Sequence, residues 1–64
     1  MKSYFDVQQL LKRYGTVIYT GDRALDLELM EEEVNELNRM GMIDKQVFLQ
    51  ARIVLREEKR KAGS

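Results

Sequence analysis

Sixty-four residues with no cysteine, no histidine and a formal net charge of zero make one small domain, near the lower size at which a chain folds without a disulfide or a metal. Those absences remove disulfides, zinc–thiolate sites, thiol nucleophiles and every Ser/His arrangement, and with them the usual general base near neutral pH. With no long uncharged apolar run and no basic-then-apolar leader, the expectation is a soluble cytoplasmic protein without a membrane segment, a cofactor or a metal.

Ser3 opens the first element, because its hydroxyl can accept from the amide of Asp6, itself an acid suited to the positive end of a helix. Tyr4, Val7, Leu11 and Tyr14, with Leu10 beside them, repeat at the i, i+3, i+4 spacing of an amphipathic helix. Gly15 supplies the left-handed residue that ends one. Helix 1 is therefore expected over about residues 4–14.

A connector of about residues 15–21 follows. Thr16 to Thr20 is β-branched and aromatic, yet no other segment reads as a strand that could pair with it. Val17 and Ile18 are expected to lie on the helices, and covering Val17 is the competing role for Tyr19.

Thr20 or Asp22 can cap the second helix, about residues 22–40. Leu27, Met30, Val34 and Leu37 form its apolar stripe, and Gly41 stops it. Ile43 and Asp44 then start a third helix, about residues 45–61, as staple residue and cap, with Phe48 placed to close the staple. So short a junction forces an antiparallel pair. In helix 3 Val47, Phe48, Ala51, Val54 and Leu55 share a face, while Leu49 and Ile53 lie nearly opposite. The fold class that results is all-α: three helices in one domain spanning residues 1–64, a short first helix and an extended connector before a longer antiparallel pair.

Together, "YFDVQQLLKRYGTVIYTGDR", "LELMEEEVNEL" and "GMIDKQVF" resemble the YqgQ family, short uncharacterised proteins of Bacillus-type bacteria; the likeness runs from Tyr4 to about Leu55. It implies a partly open three-helix bundle, a bacterial cytoplasmic setting and a suggestion of single-stranded nucleic-acid binding. It carries no catalytic residues.

The charges themselves are segregated. Seven acids stand against Arg23 between Asp22 and Glu36, and six basic residues against Glu57 and Glu58 between Lys45 and Lys61. Attraction between the two segments inside the bundle is the simplest use of that pattern. Asp22/Asp26, Glu28/Glu32 and Glu32/Glu36 are i, i+4 acid pairs, but a hard cation needs further oxygens converging from elsewhere, so they read as a solvated face. Lys12, Arg13 and Arg23 bracket Tyr14 and Tyr19, with Lys2, Tyr4 and Phe5 a turn or more back. Cations for phosphate and ring faces for stacking are what a single strand of RNA or DNA requires. Core packing is the competing role for Tyr4 and Tyr14, and zero net charge lacks the basic footprint of a dedicated binder.

A basic cluster, Arg52, Arg56, Lys59, Arg60 and Lys61, ends helix 3, where cations suit the helix dipole without any ligand; Glu57 can pair with Lys61. Leu49 and Ile53, with Leu25 and Leu29, lie off the core stripes. Burial under helix 1 and the connector is the first expectation for these four, and a protein-interaction or homo-oligomer surface the alternative. The sequence thus reads as a non-enzymatic binding protein, with single-stranded nucleic acid at Lys12, Arg13, Tyr14, Tyr19 and Arg23 as its first reading.

Overall fold

Three helices hold 46 of the 64 residues: α1 (Tyr4–Arg13), α2 (Arg23–Arg39) and α3 (Lys45–Gly63). The computed structural model describes residues 1–63; Ser64, part of the domain expected above, lies outside them. No strand occurs among the described residues, and the body measures 33 × 20 × 17 Å.

Each helix begins where a side chain takes over the backbone donors that a first turn leaves open. Ser3 Oγ accepts from the Asp6 amide at 3.3 Å, and the Asp6 carboxylate accepts in return from the Lys2 and Ser3 amides at 2.8 and 3.1 Å, a reciprocal capping box. These amides hold the Asp6 carboxyl below its ordinary range, the Lys2 bond contributing most. Between the two candidate caps of α2 the structure selects Asp22, whose Oδ1 accepts from Ala24 and Leu25. Asp44 caps α3 by accepting the Val47 amide at 2.8 Å.

Two helices end on glycine. Gly15 and Gly41 take φ of +84° and +76°, the left-handed region that a side chain resists. Behind them the chain closes the same pair of bonds: Gly15 and Thr16 donate to Lys12 and Leu11, Gly41 and Met42 to Asn38 and Leu37. The second closure turns α2 back onto α3 within a few residues, as the short junction predicts.

The core is the set of stripes read from periodicity. Val7, Leu10 and Leu11 of α1 meet Leu27, Met30, Val34 and Leu37 of α2 and Ala51, Val54 and Leu55 of α3, closed at the hairpin end by Ile43. Val47 and Phe48 pack against it from α3, and Tyr4 from α1. α3 packs chiefly on α2 and less on α1, which has only ten residues.

Three expectations change, for Val17, for Tyr19 and for the four apolar side chains off the core stripes. Val17 is 78% exposed; only Ile18 of the connector reaches the core, because extended backbone sends neighbouring side chains to opposite sides. Tyr19 is exposed as well and covers no buried Val17. Leu25, Leu49 and Ile53 stay 40%, 47% and 62% exposed and Leu29 half-buried, since α1 is too short to reach round to the outer sides of α2 and α3. Glu57 pairs with Arg60 at 2.7 Å, while Lys61 lies 3.7 Å from Glu58.

Candidate functional site

The first twenty-one residues hold three cations, Lys2, Lys12 and Arg13, against Asp6 alone, and Asp6 is engaged in its capping box. The zero total therefore hides a basic first third. On α1, Phe5, Gln8, Gln9 and Lys12 fall at i, i+3, i+4 and i+7 and so share one face, with Arg13 at its margin. Val7, Leu10 and Leu11 are buried on the other side, which turns this face outward. Phe5 is 63% exposed.

The connector runs beside that face and is fixed at its far end by one carboxylate. Asp26 is buried in the first turn of α2, and its Oδ1 accepts both from the Thr20 amide at 2.8 Å and from the Thr20 hydroxyl at 2.6 Å. A buried carboxylate is tolerated when its lone pairs are used, and here they anchor the connector. Between this anchor and the Gly15 closure, residues 16–18 and α1 enclose a groove of 220 Å³, lined by Gln8, Gln9, Lys12, Thr16, Val17 and Ile18 with Leu11 and Met30 behind them. Arg13 borders a neighbouring hollow with Met1, Asp6, Gln9 and Leu10. Gln9 thus joins the two cations' sides.

The structure divides the five predicted residues. Lys12 and Arg13 are exposed and make no ion pair among the described residues. Tyr19 is 84% exposed, its ring free of any packed neighbour in the core. Tyr14 is a tie: its hydroxyl donates to the Met42 carbonyl at 3.0 Å and fastens the end of α1 to the α2–α3 turn, although its ring keeps partial exposure. Arg23 is committed to structure. Its guanidinium lies 3.0 Å from Glu58 and 4.3 Å over the Tyr4 ring, which joins all three helices. Partial burial there raises the Tyr4 phenol above its ordinary value, against the opposing pull of Arg23.

Phe5, Gln8 and Gln9 were left out of the site by sequence reasoning. Their signal was present in the i, i+3, i+4, i+7 series that ends at Lys12, a wholly polar-aromatic face without acids, but Phe5 was weighed only as a distant flank. Of the acid pairs, Glu28 and Glu32 lie on a solvated face, whereas Asp26 is buried against Thr20 and Asp22 caps α2; among the described residues no three acids converge as a metal would need. Glu31 lies 3.8 Å from Lys59, the attraction foreseen between α2 and α3, whereas Arg23–Glu58 runs in the opposite sense.

Across its length the chain matches a known family. A family model described as YqgQ-like covers residues 1–61, and the chain belongs to that family. It is 47% identical over 58 residues to a protein of Bacillus subtilis (strain 168) named "Uncharacterized protein YqgQ", a match spanning 91% of this chain and 82% of that one. No helix among the described residues is long and apolar enough to cross a membrane.

Proposed function

We propose that this protein is a small non-enzymatic binding protein of the bacterial cytoplasm that takes up single-stranded RNA or DNA on the outer face of α1 and the connector. One observation carries the reading: Lys12 and Arg13 stand without ion-pair partners among the described residues, on a face of α1 that also bears the exposed Phe5 ring, in a first third of the chain where three cations stand against one acid. In this role Lys12 and Arg13 neutralise phosphates, Phe5 and Tyr19 offer stacking faces, and Gln8 and Gln9 supply amide groups along the groove. Tyr14 and Arg23 hold the surface in place through Met42, Glu58 and Tyr4.

Acid–base catalysis has less to support it. A catalytic carboxyl works with its pKa moved up toward the operating pH. Here Asp6, Glu36 and Glu57 are displaced downward instead, by Lys2 and Ser3 amides, by Arg39 and by Arg60.

The test is fluorescence anisotropy with a short unstructured oligonucleotide over a range of salt. With two phosphates neutralised, the slope of log affinity against log salt is about −1.4. Arg13→Glu and Lys12→Glu each flatten the slope, and Tyr19→Ala weakens binding by about 1–3 kcal/mol at every salt concentration. Absence of salt-sensitive binding at low ionic strength contradicts the proposal.

A further inference from the structure

The exposed sides of α2 and α3 carry one spacing with opposite charge. On α2 it is Leu25, Glu28, Leu29, Glu32 and Glu36; on α3, twenty-four residues later at every position, it is Leu49, Arg52, Ile53, Arg56 and Arg60. Both series run i, i+3, i+4, i+7, i+11, so each occupies a single helix face. Both faces lie opposite the buried residues of their own helices, so the two stripes cannot meet inside one molecule.

The far ends are neutralised locally, Glu36 by Arg39 and Arg60 by Glu57. What remains open is a two-turn core on each helix. Among the described residues Glu28, Glu32 and Arg56 make no ion pair, and Arg52 has only the Phe48 ring, 5.6 Å away. The apolar members are exposed too: Leu25 40%, Leu49 47% and Ile53 62%. Shallow hollows flank both stripes, one formed by Leu49, Arg52, Ile53 and Arg56, another by Ile18, Leu29, Glu32, Glu33 and Glu36.

We infer that the occupant of each stripe is the other stripe of a second copy of this chain. Apolar positions meet apolar positions while Glu28 and Glu32 face Arg52 and Arg56 of the next molecule. Pairing a stripe with its own kind sets acid against acid or base against base, so the contact is heterologous: each joined pair leaves one acidic and one basic stripe free at its ends, and the copies stack head to tail. A contact of two helical turns is far smaller than the roughly 800 Å² per partner of a standard stable interface. The stack is therefore weak, reversible and sensitive to salt.

Sedimentation velocity of the full chain at low salt, up to concentrations on the order of millimolar, tests this. The weight-average mass is expected to rise with concentration and to fall back when salt is added. Arg52→Glu/Arg56→Glu and, separately, Glu28→Lys/Glu32→Lys each give a monomer, with helical circular dichroism confirming the fold. Mixing the two variants restores association, because each then supplies the stripe that the other needs. A wild-type monomer throughout overturns the inference, as does association that survives either charge reversal. So does a basic stripe that binds oligonucleotide or anionic vesicles while the chain stays monomeric. None of these outcomes depends on Lys12 or Tyr19, so nucleic-acid binding on α1 stands or falls separately.

Discussion

The α2–α3 hairpin and the α1–connector unit are built on different principles. In the hairpin, local signals suffice: a glycine closure at Gly41, a cap at Asp44, a buried Ile43 and long apolar stripes on helices of 17 and 19 residues. The α1–connector unit has ten helical residues and then extended chain, and it is held in place by the burial of Val7, Leu10 and Leu11 and by few polar ties: Thr20 to Asp26, Tyr14 to Met42, and Arg23 between Tyr4 and Glu58. The hairpin supplies the scaffold. The smaller unit spends fewer of its side chains on packing and keeps Phe5, Lys12, Arg13 and Tyr19 for solvent, which is why the binding surface is proposed there.

Substitutions can break that contrast in order of size. Leu11 is 1% exposed and is the largest fully buried side chain that α1 contributes to the core. Leu11→Ala is expected to cost about 2–5 kcal/mol, enough in so small a domain to move a calorimetric melting midpoint by tens of degrees or to unfold the chain. Next is Asp26→Ala, which removes the acceptor for two Thr20 donors and is expected to cost about 1.5–3 kcal/mol. Hydrogen exchange at Thr20 should accelerate far more than exchange in α2 and α3, and equal acceleration everywhere would contradict an anchor confined to the connector. Gly41→Ala tests the hairpin itself: left-handed backbone costs a side chain about 1–2 kcal/mol, read as a lower denaturation midpoint with unchanged oligonucleotide affinity.

Asp6 gives the smallest effect and the one that depends on pH. Its carboxyl is lowered by the Lys2 and Ser3 amides, so the charged form is favoured in the folded chain. The stabilisation is complete above the ordinary carboxylate value of about 4 and is lost as pH falls through the lower folded value. Thermal melts of wild type and Asp6→Asn should differ near neutral pH and converge in acid. A gap that persists at the acid end would show that the capping box does not act through the carboxylate charge.

The same contrast explains what the sequence made legible. Leu27, Met30, Val34 and Leu37 are all buried as their spacing required, and Gly15 and Gly41 both end helices with positive φ, because periodicity and glycine conformation are local properties. Asp26 was read as a solvated acid in an i, i+4 pair. Its burial depends on the connector folding back over it, which no local pattern encodes. Arg23 looked like a free cation for the same reason, since Glu58 and Tyr4 are far away in the chain. Val17 was expected on the core because it is β-branched, but alternation allowed only one of two neighbours inward, and Ile18 is the one that packs. For the candidate site, Lys12, Arg13 and Tyr19 were identifiable by residue type, whereas Phe5 had to be placed on the outer i, i+7 face with Lys12, away from the Val7–Leu11 stripe.

Amide-resolved NMR during titration with a short single-stranded oligonucleotide tests the assignment most directly. Salt-sensitive shifts are expected to concentrate at Phe5, Gln8, Gln9, Lys12, Arg13 and residues 16–19, with the α2–α3 hairpin nearly unmoved. Shifts confined to the outer face of α3, or no shifts at low salt, would contradict it.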